Sequence, residues 1–229
     1  MPSLAVLGTG QVGQAIARRA AEVGYDVTVG ARSATSAGLD AFRTAPPEAG
    51  SGHGDITTGT FADAVCSAPL VVNATNGLHS LDALTQVGAE VLAGKVLVDV
   101  ANELRPVEHG FPQPAATAAD SLGARLQRTF PDTSVVKTLN TMNNAVMVRP
   151  AEIPGDHLVF LSGDSPTAKD ATRVLLRAFG WREPQMLDLG GIETAAATEM
   201  MMSVWMAVTI ARGQGAPRFN WAVVEGPSR

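Results

Sequence analysis

Short apolar runs alternate with stretches of helical periodicity from the start of the chain. That alternation predicts an α/β fold of the doubly wound type, a mostly parallel sheet wrapped by helices. Residues 3–7 read as a strand, a glycine turn follows, and an alanine-rich helix spans 11–23 with Gly24 as its cap. Residues 26–30 form a second strand, 34–43 a weaker helix, and 46–54 a Pro/Gly-rich loop. A short strand over 56–58 and a helix over 61–66 come next. Buried strands follow at 69–74 and 96–100, joined by a helix over 80–92.

Residues 103–119 carry Pro106, Pro112 and Pro114 with little periodicity and read as a surface flap, either a lid or an inert insertion. Asp120 or Ser121 then caps a helix to about Arg128, and 135–139 is a sixth strand. The last third reads as strand (157–162), amphipathic helix (167–179), strand (185–189) and a final helix over 192–212. That helix is apolar on nearly every side, which predicts burial within its own fold or against a second subunit. Its methionines read as core. The pattern divides the chain into a larger N-terminal domain, 1–140, and a small C-terminal domain, 141–229.

Composition adds boundaries. A net charge of −5 over 229 residues, with no basic stripe, argues against a nucleic-acid partner. Cys66 is the only cysteine, so no intramolecular disulfide can form; its alanine-rich setting predicts a small buried hydrophobe. The first residues lack a signal-peptide pattern, and no run of about 18 apolar residues predicts a membrane span. A cytoplasmic location is expected, with no membrane partner. No metal-ligand spacing stands out.

The chemistry is concentrated early. Gly8-Thr9-Gly10-Gln11-Val12-Gly13 falls between the first strand and first helix. In such a run the first glycine makes the tight turn, the second admits a pyrophosphate, and the third lets helix and strand pack closely. The phosphates then meet free N–H groups at the positive end of the helix. After the second strand, where an NAD site carries an acid for the ribose 2′-hydroxyl, the chain reads Gly30-Ala31-Arg32-Ser33. A guanidinium forks onto a 2′-phosphate and a hydroxyl donates to it, so Arg32, with Ser33 and Ser36, predicts NADP(H).

Ligands in open α/β sheets lie beyond the carboxyl ends of strands. Ala74, Thr75, Asn76 and His79 follow the fourth strand, and Ala101 and Asn102 follow the fifth. These should border the nicotinamide, although the asparagines could equally be turn residues.

With these pieces placed, the chain resembles the NADPH-dependent deazaflavin-coenzyme oxidoreductase family, whose module recurs in the six-transmembrane metalloreductases. The matching stretches are Gly8 to Gly13, Val29 to Ser33, Val98 to Asn102, Val136 to Thr141 and Leu187 to Gly191. The resemblance implies a dinucleotide-binding domain, 1–140, a C-terminal acceptor-binding and dimerisation domain, 141–229, and hydride exchange between NADP(H) and an 8-hydroxy-5-deazaflavin in the cleft between them, with a homodimer formed through the C-terminal helix. It places the Arg32–Ser33 pair on the NADP phosphate. The chain departs from the family at Ala31, where a serine is frequent, and 141–144 carries no clear deazaflavin signature.

Catalysis in such a site is mostly positioning of two rings. No general acid is strictly required; Lys137 and His79 are the candidates for one. Asn140, Thr141 and Met142 follow the sixth strand as expected acceptor contacts. The competing readings are an NADPH-dependent reductase of a flavin, metal chelate or small imine or carbonyl, and a non-catalytic NADPH-binding sensor or scaffold.

Overall fold

Strands covered on both faces need near-continuous apolar runs, and here they line up in one eight-stranded sheet. The computed structural model describes residues 1–43, 54–213 and 215–227. Strand β1 (Ser3–Leu7) leads to helix α1 (Gln11–Glu22) and β2 (Asp26–Ala31). Short α2 (Asp40–Arg43), β3 (Ile56–Thr60), α3 (Phe61–Ser67) and β4 (Leu70–Asn73) follow. Next come α4 (Gly77–Val87), α5 (Ala89–Leu92), β5 (Val96–Asp99) and a small hairpin of β6 (Leu104–Arg105) and β7 (Gln113–Pro114). The chain continues through α6 (Leu122–Thr129), β8 (Ser134–Thr138) and α7 (Asn144–Val148). It ends with β9 (Val159–Ser162), α8 (Pro166–Phe179), β10 (Met186–Asp188) and α9 (Ala195–Arg212).

The sheet order is β10-β9-β8-β5-β4-β1-β2-β3. Every pairing is parallel except β8 with β9. The order reverses direction between β1 and β4, which opens a crevice beyond their carboxyl ends.

The two-residue strand period splits the core. Leu4 and Val6 pack with Ile16, Ala17 and Ala20 of α1, while Ala5 and Leu7 pack with Ala64 and Val65 of α3 on the opposite face. Leu4 and Leu7 are fully buried, and each contributes about 1.5–3 kcal/mol by leaving water. Val159, Leu175, Phe179 and Trp181 belong to the same apolar cluster as α1. The division expected at residue 140 thus falls inside one continuous sheet and one shared core.

Several expectations change. The helix expected over 80–92 starts earlier, at Gly77, and breaks at Gly88, whose φ of 98° is left-handed. The helix over 34–43 shrinks to a 3-10 turn at Ala37–Leu39 and the short α2. Most of the 46–54 loop lies outside the described residues. Ser121 supplies the α6 cap, accepting from the Ala124 N–H at 3.1 Å. The 103–119 flap folds down as the hairpin, and Arg125 ties Glu103 and Asp120 together at its two ends. Cys66 is exposed rather than buried, because α3 turns that face away from the sheet.

Helix α9 changes exposure along its length. Ala195, Ala196, Thr198, Glu199 and Met202 are buried, whereas Val204 and Ile210 are 52% and 61% exposed. Beyond the second turn Trp205 still stacks on Phe219, with ring centroids 6.0 Å apart, while Val204 and Ile210 stay open. Among the described residues, 192–212 is the one helix long and apolar enough to cross a membrane by length and composition.

Candidate functional site

The crevice at the β1/β4 reversal begins with the glycine turn. Gly8 has φ +116°, and a Cβ there would lie 2.4 Å from the Ala74 carbonyl oxygen. Only glycine combines that conformation with that approach. A Cβ on Gly13 would lie 2.1 Å from the Gly8 carbonyl oxygen, so this glycine seats α1 against the turn. Gly10 differs: a Cβ there would meet nothing within 4 Å. Its open side faces a cavity of about 740 Å³, and Gly10 caps α1 without any side-chain hydrogen bond or acid in the first turn. An uncapped helix start facing open space suits an anion. The turn therefore fits a dinucleotide pyrophosphate.

Gly8, Thr9, Gly10, Gln11, Val12, Ala31, Arg32, Ser36, Ala74, Thr75, Asn76 and His79 all line this cavity. Of the other predicted cofactor contacts, Ala101 and Asn102 line a second cavity, and Gly13 and Ser33 line neither. Gly13 is buried behind the turn, and the Ser33 hydroxyl bonds Thr35 Oγ1 at 2.8 Å. Ser36 lines the same cavity as Arg32.

A second cavity of about 310 Å³ shares Val12, Ala74, Thr75 and Asn76 with the first. It lies at the ends of β4, β5 and β8. Asn102 and Asn140 line it and lock each other: Asn102 Nδ2 donates to the Asn140 carbonyl at 2.7 Å, and Asn140 Nδ2 donates to Asn102 Oδ1 at 3.0 Å. Leu139, just before, has φ +60°, the one left-handed non-glycine among the described residues. Such a conformation costs about 1–2 kcal/mol and is held by its surroundings. Ala101, Met142, Met147 and Met202 complete the apolar wall. Thr141 does not line it; it is buried, and its carbonyl accepts from Trp221 Nε1 at 3.0 Å.

Lys137 lines neither cavity. Its ammonium is fully buried, 2.9 Å from Asp99 Oδ2 and 2.9 Å from Glu199 Oε1, and it also donates to the Ala101 carbonyl. A lysine so enclosed cannot hand a proton to a substrate in the cleft. His79 lies on the larger cavity, away from the asparagine pair. Glu199 additionally accepts from the Leu122 and Gly123 N–H groups at 2.9 and 3.0 Å, capping α6 from α9. Asp99 Oδ1 accepts from Asn73 Nδ2 at 2.8 Å and from the Ala101 N–H at 3.2 Å. Asn73 Oδ1 in turn accepts from the Thr75 hydroxyl at 2.7 Å.

Burial holds the Asp99 carboxyl above its ordinary range, and Lys137 only partly pulls it back. Burial also pushes the Lys137 ammonium down, but Asp99 and Glu199 outweigh it, and its value is raised. The lysine stays charged.

Sequence reasoning missed Asp82, Ala83 and Gln86, which line the larger cavity from the His79 face of α4. The spacing 79-82-83-86 was visible, but it appears as one face only once the helix starts before Ser80. Glu199 was also missed. A lone acid inside an apolar helix was its signal.

A crystal structure from Arthrobacter sp. FB24, described as a candidate F420-dependent NADP-reductase, is 40% identical to this chain with a TM-score of 0.84. The match covers 97% of this chain and 99% of that one. A family model described as NADP oxidoreductase coenzyme F420-dependent matches residues 3–103. The chain belongs to this family. It is accordingly an NADP-dependent oxidoreductase. Metalloreductase STEAP3 of Rattus norvegicus is 28% identical over 200 residues, which span 86% of this chain but 36% of that protein. The imine reductase of Myxococcus stipitatus, solved with NADP+, shares the fold alone: 18% identity, TM-score 0.62, 90% of this chain and 62% of that one.

Proposed function

We propose that this family member moves a hydride between NADP(H) and a deazaflavin coenzyme. In this reading the α1 start at Gly10 holds the pyrophosphate and Arg32 forks onto the 2′-phosphate, with Ser36 beside it. The Asn102–Asn140 pair and the three methionines shape the smaller cavity for two stacked rings and keep water out. Bound cofactors supply the redox chemistry, the nicotinamide C4 giving the hydride and the deazaflavin C5 taking it. The protein supplies orientation.

One observation carries the choice of acceptor. Among the described residues lining the smaller cavity, none is Asp, Glu, His, Lys or Arg. Reduction of an imine or carbonyl calls for a positioned proton donor, which this cavity lacks. A deazaflavin ring nitrogen exposed to solvent takes its proton from water. The test is to mix protein, NADPH and an 8-hydroxy-5-deazaflavin and follow both absorbances. The reading expects mole-for-mole loss of both; no NADPH oxidation with deazaflavin, but turnover with an imine, flavin or ferric chelate, would overturn it.

The exposed apolar side of α9, with Val204 and Ile210, supports a homodimer as part of this proposal. Light scattering that gives the monomer mass at micromolar concentration would remove it.

A further inference from the structure

The Asp99–Lys137–Glu199 cluster carries two carboxyls on one ammonium, all three side chains buried. A purely structural ion pair needs one of each, and apolar replacements often hold a core equally well. The start of α6 offsets part of the surplus, since Glu199 accepts two of its N–H groups. The other described hydrogen-bonding partners, Asn73 and the Ala101 backbone, are neutral. An excess of negative charge is therefore built in when both carboxyls are ionised.

This charge sits one peptide behind the smaller cavity. Ala101 is a wall residue whose N–H is held by Asp99 and whose carbonyl is held by Lys137. A second path runs from Asp99 through Asn73 to the Thr75 hydroxyl, at the junction of the two cavities. We propose that the cluster biases the redox balance of bound cofactor, favouring the cationic pyridinium of NADP+ over the neutral dihydropyridine of NADPH. The inference rests on the reading that NADP(H) lies along the glycine turn with its nicotinamide toward this wall. Buried, low-dielectric surroundings give such a charge reach. One unit charge about 10 Å away at an effective dielectric near 20 shifts an equilibrium on the order of 10-fold.

The experiment compares dissociation constants for NADP+ and NADPH, by calorimetric titration at pH 8.5, in wild type, Glu199→Gln and Asp99→Asn. Each variant replaces one carboxyl by a neutral amide, leaves Lys137 a single carboxyl partner and keeps a near-isosteric side chain. Both should weaken NADP+ relative to NADPH by on the order of 10-fold. The ratio is taken within each protein, so a general loss of packing that weakens both forms equally does not move it. A ratio within about 2-fold of wild type in either folded variant overturns the proposal. Should Glu199→Gln fail to fold, Asp99→Asn decides the question alone. Failure of wild type to bind either form sinks the cofactor reading itself, and this inference with it.

Discussion

Replacing Lys137 with methionine keeps most of the side chain's length while deleting its charge. In the native protein its ammonium lies 2.9 Å from each of two carboxylates, and none of the three side chains is more than 2% exposed. Removing one partner of a buried ion pair costs about 3–5 kcal/mol. Here two carboxylates lose the one cation that pairs with them among the described residues, and the Ala101 carbonyl loses a donor. Uptake of a proton by the carboxyl pair limits the damage. A loss of about 4 kcal/mol at pH 8 follows, or roughly 8–16 °C in Tm for a chain of this size.

The pH dependence has a definite sign. Asp99 already sits above its ordinary value of 3.8, chiefly through burial. A carboxyl raised on folding favours the native state at low pH, and that contribution disappears as pH climbs through its folded value. Without the ammonium the value rises further, so the deficit of Lys137→Met should be larger at pH 8 than at pH 5. The lysine's own raised value works far outside this window, since its contribution is complete below 10.5 and is lost only above it. Urea denaturation at the two pH values, followed by tryptophan fluorescence, measures both deficits. A loss under about 1 kcal/mol, or one equal at both pH values, would refute the account of the buried cluster.

Other outcomes follow from the cofactor wall. Arg32→Ala should weaken NADPH by about 10- to 100-fold, the worth of a charge-assisted hydrogen bond, and leave NADH alone; equal effects on both, read by titration, would remove Arg32 from the 2′-phosphate. Gly10→Ala should keep its Tm, since φ there is −72° and the new Cβ enters open space, yet lose dinucleotide affinity at least 10-fold. Gly13→Ala should instead lower the melting temperature by several degrees, because its Cβ runs into the Gly8 carbonyl. Native protein should give one rapidly titrating thiol with a disulfide reagent, as Cys66 is exposed; a thiol that appears only on unfolding would contradict its placement.

Much of the fold was readable because its causes are local. Short apolar runs gave the strands, and the Asp120-Ser121 pair and the glycine turn marked helix starts through backbone N–H groups that need partners. The helix over 80–92 was misjudged because the break depends on the left-handed conformation at Gly88, which composition does not reveal. Cys66 was misjudged because an alanine-rich neighbourhood says nothing about which side of α3 meets the sheet.

The sequence by itself determined that a dinucleotide turn opens the chain and that an arginine stands where an acid would select NAD. Both depend on residues within a few positions of one another, so spacing alone carries them. Only the tertiary structure decided what Lys137 does. Its partner Asp99 is 38 residues away, and the acid that completes the cluster also caps a helix 77 residues before it. No period or spacing links such positions. They meet because the sheet order brings β5 beside β8 and lays the start of α9 against α6. In the same way, the asparagines after β5 and β8 became a locked pair instead of two turn residues.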